Sequence, residues 1–151
     1  MSSLTRFDLD DPRLAAYGRL IETQRRLHRL FDRSLRAEAG ITIVVYEALL
    51  RLARTAEGHL TINELGEAMD LSSGGATRLV DRLVREGYVE RMACPSDRRV
   101  SWASLTDAGR EKLDEATALH VQDVDEHLVS KLDPAELEML RRLLRSVRPG
   151  D

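Results

Sequence analysis

The sequence has little of three things that mark whole classes of protein: cysteine, aromatic residues and long apolar runs. Its 151 residues include one cysteine, which excludes an intrachain disulfide framework and agrees with a reducing compartment. Aromatic residues make up 4% of the chain and charged residues 32%, so we expect a helix-rich protein whose core is mostly Leu, Val and Ala. Without a membrane-spanning run or a signal peptide, it is expected to be cytoplasmic, with no membrane partner.

The patterns of an enzyme or a metal site are also missing from the sequence. No Ser-His-Asp order, phosphate-binding loop or paired-carboxylate site can be argued. The four histidines include no i, i+4 pair, and no ligand cluster accompanies them. We therefore predict a chain that is not an enzyme and needs no metal or cofactor. Oxidation of Cys94 stays open, although an ordinary thiol is the favoured interpretation.

A formal net charge of −3 argues at first against a nucleic-acid partner. The distribution of charge matters more than its sum. Residues 72–99 hold six arginines against four acidic residues, so this stretch is locally basic while the rest of the chain is acidic. The imbalance is compatible with DNA binding and predicts a clear salt dependence.

The stretch 71–106 opens with the pattern of a short amphipathic helix. Ser72 is a good N-cap, and Gly87 is placed to end the helix. Apolar residues recur at helical spacing on one face, and the opposite face is polar. The apolar positions are Ala76, Leu79, Val80 and Leu83, and the polar ones are Ser73, Thr77, Arg78, Asp81, Arg82 and Arg85.

The second half of the same stretch has the pattern of a β-hairpin. Residues 88–92 and 99–105 read as two strands, and the sequence CPSD between them has turn chemistry. Upstream, residues 60–69 supply a partner helix in which Thr61 and Glu64 form a capping box. Helix, short turn, helix and hairpin together predict a winged helix-turn-helix, whose wing spans about residues 88–105.

These segments resemble the MarR family of bacterial transcription regulators. The resemblance rests on LTINELGEAMDLSSGGATRLVDRLVREGYVER and on the wing SDRRVSWASLTDAG, and it covers roughly residues 14–147. The wing fits the family pattern D-x-R followed by L-T-x-x-G, with Asp97 and Arg99 in the first motif and Gly109 ending the second. The resemblance implies a homodimer that binds double-stranded DNA, with Arg99 in the minor groove and Asp97 bracing the tip through a neighbouring arginine, for which Arg91 is the candidate.

Within the first helix of the stretch, small residues at the N-terminus are suited to close approach of a phosphate, and Arg78 can reach a guanine edge. Arg82 either meets a phosphate or pairs with Asp81 or Glu86. The two glycines can instead serve close packing. The complete set of predicted DNA-binding residues is Ser72, Ser73, Gly74, Gly75, Thr77, Arg78, Arg82, Asp97, Arg98 and Arg99.

Long helices are predicted on both sides of the lobe at residues 42–105. The first spans residues 12–38, and residues 107–148 hold a helix to about residue 130 and a last one from Asp133. A helix of about 24 residues is roughly 36 Å long, more than a winged-helix core covers, so apolar residues are expected to stay partly exposed in a single chain. Those residues are Leu113, Leu119, Val124, Leu128 and Leu132. The overall class is therefore mainly α with a small β-hairpin wing and with dimerisation helices at both ends.

The expected function is that of a homodimeric regulator, a repressor, of a pseudo-palindromic operator. The resemblance implies that a small phenolic or anionic effector lowers its affinity for DNA. Nothing in the sequence selects the effector pocket, whose candidates are Tyr17, His28, Arg51 and His59. The alternative is a winged-helix module that contacts another protein through the same helix. Trp102 is expected on the outer face of the wing strand, where packing is favoured over DNA contact.

Overall fold

The computed structural model describes residues 10–94 and 100–147. This part of the chain contains six α-helices and a small antiparallel sheet. The elements are α1 (Pro12–Ser34), a turn of π-helix (Leu35–Ala39), α2 (Ile43–Ala53), β1 (His59–Thr61), α3 (Ile62–Ala68), α4 (Ser73–Arg85), β2 (Val89–Ala93), β3 (Ser101–Leu105), α5 (Asp107–His127), a 3₁₀ turn (Val129–Lys131) and α6 (Pro134–Ser146). The predicted class, mainly α with a winged helix-turn-helix, is confirmed.

Each helix begins at a polar residue that accepts a hydrogen bond from the backbone of its first turn. Such caps satisfy donors that a helix leaves without an internal partner. The Thr61 hydroxyl accepts from Glu64 N at 3.1 Å, and the Glu64 carboxylate accepts from Thr61 N at 2.8 Å, which is the predicted capping box. The full set of caps is Asp11, Thr42, Thr61, Ser72, Thr106 and Asp133.

The sheet has three strands in the order β1-β3-β2, one more than the predicted hairpin. Val89 of β2 pairs with Leu105 of β3, and His59 of β1 pairs with Ser104 on the other side. Strand β1 was not predicted from the sequence. A strand of three residues is too short to show a period-two pattern, and Thr61 also carries the cap of α3.

The core lies where α2 packs against α1, α3, α5 and strands β1 and β3. Val45, Ala48, Leu49 and Leu52 recur at helical spacing and form the buried stripe of α2. The buried residues of the described segments that join them include Leu35, Leu65, Leu79, Val80, Leu83, Ala103 and Leu113. Trp102, expected on the outer face, is half-buried, and its ring lies 4.2 Å from the ring of His59.

The long C-terminal helix is shorter than predicted and is better covered by its own chain. It ends at His127 rather than near residue 130, because a 3₁₀ turn follows at Val129–Lys131. Leu113 is buried, which contradicts its expected exposure. Leu119, Val124, Leu128 and Leu132, which were expected to be partly exposed, are half-buried. Most of the fully exposed large apolar side chains of the described residues lie on α1 and at the end of the described chain, and Val121 of α5 is also exposed. Those on α1 are Leu14, Tyr17 and Leu20, and those at the end are Met139, Leu143, Leu144 and Val147.

The connection from α1 to α2 is fixed by polar contacts. The Asp32 carboxylate accepts a hydrogen bond from Ile43 N at 2.9 Å, so α1 helps to cap α2, and it also pairs with Arg36 at 2.7 Å. On the other side, Lys112 Nζ donates to Ala39 O at 3.1 Å and ties α5 to the same connection. These contacts hold α1, α2 and α5 at a fixed angle to one another.

Replacement of Asp32 by asparagine tests whether the negative charge of its carboxylate, which accepts the hydrogen bond from Ile43 N, stabilises the fold. Burial acts to raise the pKa of Asp32, but the hydrogen bonds from Ile43 N and Arg36 outweigh it and hold the pKa below its ordinary value. A carboxyl group with a lowered folded-state pKa adds stability above its unfolded pKa and loses that stability as pH falls through the folded pKa. We expect Asp32→Asn to cost about 1 kcal/mol at pH 7.

The difference between Asp32→Asn and the unsubstituted protein should begin to shrink as pH falls below the ordinary carboxyl pKa of about 4, where the unfolded chain takes up the proton before the folded one does. Urea unfolding at pH 7, 5 and 3.5, at one protein concentration, measures it. A difference that does not change with pH would mean that the lost contact is steric and not electrostatic.

Candidate nucleic-acid interface

The helix-turn-helix is formed by α3, a tight turn and α4. Asp70 lies in the turn with φ of 53°, and Leu71 N donates to Gly66 O at 2.9 Å to close it. A Cβ atom on Gly66 would lie 2.9 Å from the Cβ atom of Ala76, so the glycine permits the close crossing of the two helices. This crossing fixes the direction of α4 relative to α3.

Helix α4 has one buried and one exposed face, as predicted. Ala76, Leu79, Val80 and Leu83 are buried, and the Ser72 hydroxyl accepts from Gly75 N at 3.2 Å. Most of the predicted DNA-binding residues of this helix lie together on the exposed face. The exposed members are Ser72, Ser73, Gly74, Thr77 and Arg78, and Gly75 is half-buried.

The side chains on this face differ in their hydrogen-bond and salt-bridge partners within the chain. The Thr77 hydroxyl donates to Ser73 O at 2.9 Å and keeps its acceptor capacity for a ligand. Arg82 forms a 2.8 Å salt bridge with Glu86, which decides between the two intrahelical partners considered for it. Arg78 has no salt-bridge partner in the described part of the chain. Among the predicted arginines of α4, Arg78 is therefore the one whose guanidinium is available to an outside group.

The two glycines at the start of α4 differ in their surroundings. A Cβ atom on Gly75 would lie 3.2 Å from the Ser72 hydroxyl, which is a tight contact with the cap. A Cβ atom on Gly74 would meet only the Arg78 guanidinium, at an ordinary 3.5 Å. Close packing within the chain therefore gives a reason for Gly75 but not for Gly74.

The wing approaches α4 through β2. Arg91 of that strand pairs with Asp81 of α4 at 2.7 Å. Asp97, Arg98 and Arg99 lie outside the described residues, and so does the contact expected between Asp97 and Arg91. Cys94, at the end of the strand, is buried.

The structure separates the four candidate effector residues. His28 and Arg51 line two cavities of about 410 and 490 Å³ that share Ile43, Glu47 and His120. Tyr17 lines a different groove on α1, and His59 stacks on Trp102 in the sheet. Of the four candidates, only His28 and Arg51 therefore line cavities that border the same residues, among them His120.

His120 is a residue of this region that the sequence did not single out. Its ring lies 5.0 Å from that of Phe31 and 4.9 Å from that of Tyr46, and its buried Nδ1 atom has no hydrogen-bond partner. Burial holds the pKa of His120 below its ordinary value, although the carboxylates of Asp123 and Glu47 act to raise it. In the sequence, nothing but its place on a predicted helix could have marked it.

No group of three or more His, Cys, Asp or Glu side chains in the described segments could hold a metal ion. No helix in those segments is both long and apolar enough to cross a membrane. What the described chain presents is a helix-turn-helix with an exposed polar α4 beside a β-hairpin, the arrangement of a winged helix-turn-helix DNA-binding protein.

Comparison with known proteins agrees with this class. Residues 39–100 match the sequence profile of the MarR family. The multiple antibiotic resistance protein MarR of Escherichia coli (strain K12) is 32% identical over 133 residues, 87% of this chain and 90% of that protein. The HTH-type transcriptional regulator MhqR of Bacillus subtilis (strain 168) is 33% identical over 91 residues, which span 60% of this chain and 62% of MhqR.

A solved structure extends the likeness to the whole architecture. Sco3205, a MarR family transcriptional regulator from Streptomyces coelicolor solved in complex with DNA, superposes with a TM-score of 0.82 at 31% identity and covers 93% of this chain and 91% of its own. The chain belongs to the MarR family of DNA-binding transcription regulators. Because these relatives are transcription regulators, the prediction that it is not an enzyme is also confirmed.

Proposed function

We propose that this regulator is a homodimeric repressor that binds a pseudo-palindromic operator, with α4 in the major groove and the wing in the minor groove. The observation that carries the proposal is the exposed face of α4, where Arg78 and Gly74 have no role in the packing of their own chain. In this proposal residues 42–105 form the DNA-binding lobe, and residues 12–38 and 107–148 form the dimerisation arms.

The uncovered apolar faces of α1 and α6 support the homodimer. Tyr17 is 65% exposed and Leu143 52% exposed, and α6 contains no buried residue. Apolar surface of this extent on two amphipathic helices favours burial against a second copy. A twofold dimer also presents two α4 helices to successive turns of the major groove, which is the geometry that a pseudo-palindrome requires.

Repression follows from the size of the proposed footprint. Two α4 helices one helical turn apart, with a wing beyond each, would cover about 20 base pairs of duplex. A protein bound across that length of a promoter excludes polymerase from it. The sign of regulation is therefore expected to be negative when the operator overlaps the promoter.

A salt titration tests the DNA partner and the stoichiometry together. The probes are the duplex that the protein itself selects from a random-sequence pool and a scrambled duplex of the same composition. We expect one dimer per duplex, selective binding, and an affinity that falls steeply as salt rises. Equal, weak binding to both duplexes would favour the alternative function, a winged-helix module that contacts another protein.

Alanine at Gly74 should affect stability and DNA binding in opposite directions. Glycine in a helix costs up to about 1 kcal/mol relative to alanine, so Gly74→Ala should raise Tm. If the backbone at Gly74 lies against a phosphate, the added methyl group should weaken operator binding about tenfold through the two copies of the dimer. Weaker binding by a more stable protein cannot result from unfolding, and unchanged binding would place Gly74 away from the DNA.

A small phenolic or anionic effector is the last part of the proposal, and it is placed in the two cavities that border His120. Their linings combine apolar side chains with Arg51 and the unpartnered Nδ1 atom of His120, which suits a small aromatic acid. Titration with benzoate and with phenol should raise Tm and weaken operator binding. Failure of both compounds at millimolar concentration to do either would contradict this placement.

A further inference from the structure

Asp81 and Arg91 form a salt bridge that joins the recognition helix α4 to the wing strand β2. Arg91 Nη2 lies 2.7 Å from Asp81 Oδ1. The other salt bridges in the described residues each lie within one helix, between a helix and its cap, or, for Asp32 and Arg36, between α1 and the π-helical turn that directly follows it. The Asp81–Arg91 pair is thus placed to control the position of one element relative to another.

Outside its pairing with β3, the outer part of β2 is exposed along the strand up to Cys94, which is buried. Val89 is buried, but the four residues that follow it in the strand are exposed. Strand β3 is anchored at its far end by Ala103, Ser104 and Leu105, whereas Ser101, next to the tip, is half-buried. The part of the hairpin that leads to the wing tip is therefore held to α4 at Arg91.

Asp81 lies where a negative charge is unfavourable for a DNA-binding surface. It is three residues from Arg78, four from Arg85 and seven from Gly74, so all four share the exposed face of α4. The Asp81 side chain is 54% exposed and that of Arg91 is 37% exposed. A carboxylate on this face would repel phosphates, and a solvent-exposed pair adds little stability. A carboxylate at this position is therefore not explained by charge or by stability, and we consider a positional role for it.

We propose that Asp81 is a positioning residue that, through Arg91, fixes the wing against the recognition helix and thereby sets operator selectivity. This proposal rests on the proposed DNA-binding function. Selective binding requires α4 and the wing to enter adjacent grooves together, and a wing that moves independently of α4 loses that registration while its charges still attract any duplex. We call the Asp81–Arg91 salt bridge the latch. The latch therefore acts on selectivity, and not on general affinity for DNA.

Asp81→Asn distinguishes the latch from a simple effect of charge. It removes one negative charge facing DNA, so electrostatics alone would tighten binding to every duplex. Loss of the latch should instead weaken binding to the duplex selected from a random pool, with binding to the scrambled duplex unchanged or tighter. We expect the ratio of the two affinities to fall about tenfold, because a modest loss occurs once in each protomer of the dimer.

Glu86→Gln is the matched control, because it also removes one carboxylate from α4 and breaks a salt bridge with an arginine. That bridge joins the helix to its own C-terminal cap and not to the wing strand. The ratio of affinities for Glu86→Gln should stay within about twofold of the unsubstituted protein. Arg91→Lys, which keeps the positive charge, should lose less selectivity than Arg91→Gln. Both duplex affinities are measured by fluorescence anisotropy at one salt concentration, together with the Tm of each variant.

The outcomes separate the latch from the function on which it rests. A selective parent whose Asp81→Asn variant behaves like Glu86→Gln, or tightens on both duplexes equally, overturns the latch and leaves the function standing. A parent that binds both duplexes equally overturns both. Reduced selectivity in Asp81→Asn, with Tm nearly unchanged and partial retention in Arg91→Lys, supports the latch.

Discussion

Alanine in place of Gly109 is expected to lower the free energy of unfolding by about 3 kcal/mol or more. In a domain of this size such a loss corresponds to a fall in Tm of about 10 °C. The reason is a close approach of two backbone segments. A Cβ atom on Gly109 would lie 2.0 Å from Tyr88 O, and since that oxygen belongs to the main chain, α5 or the start of β2 has to move.

The surroundings of Gly109 leave little freedom for such a movement. Thr106 N donates to Tyr88 O at 3.1 Å, and the Thr106 hydroxyl donates to Gly87 O at 2.6 Å. The same hydroxyl accepts from Gly109 N at 3.0 Å and so caps α5. One threonine and one glycine thus join the end of α4, the base of the wing and the start of α5, which gives the L-T-x-x-G pattern a structural reason.

Gly74→Ala is the matched control for the stability measurement, since it makes the same chemical change at another helical position where the methyl group has room. The two variants should shift Tm in opposite directions in thermal unfolding at a fixed protein concentration. A Gly109→Ala variant as stable as the parent would mean that α5 can retreat from Tyr88 at almost no cost. That would remove the proposed reason for glycine in the motif.

The helical framework could be predicted because its signals are local. A cap such as Thr61 with Glu64, or Asp133 with Pro134, is fixed by residues within one turn, and a buried stripe such as that of α2 follows from helical spacing. The three-stranded sheet could not be predicted in full, because β1 exists only through pairing with β3, more than forty residues away. Its three residues carry no period of their own.

The polar partners in the candidate site were harder to predict, for the same reason. Helical spacing favours Glu86 over the adjacent Asp81 as the partner of Arg82, because residues at i and i+4 face each other and neighbouring residues do not. The partner of Asp81 could not be predicted, because it is Arg91 of β2, which only the tertiary structure brings to α4. His120 likewise gains its unpartnered Nδ1 atom and lowered pKa only when α5 packs against Phe31 and Tyr46. Tertiary contacts, and not local pattern, decide these features.

Arg78→Ala should weaken operator binding about a hundredfold and relax operator selectivity. A bidentate contact between arginine and guanine contributes about 1–3 kcal/mol of discrimination, and a dimer makes it twice. Arg78 is exposed on the outer face of α4, and no described carboxylate holds its guanidinium. The absence of a side chain at Gly74 leaves that guanidinium room towards the N-terminus of the helix, the end that recognition helices insert in the major groove.

Arg82→Ala provides the control, because it removes the same side chain one turn further along α4, where Glu86 already holds the guanidinium at 2.8 Å. Its effect should be smaller, about threefold, and similar on selected and scrambled duplexes, as expected for a partly neutralised charge near phosphates. Anisotropy titrations at two salt concentrations measure both variants. Equal losses on both duplexes for Arg78→Ala, with a salt slope reduced by about one per protomer, would assign Arg78 to a phosphate and leave base recognition to the other residues at the start of α4.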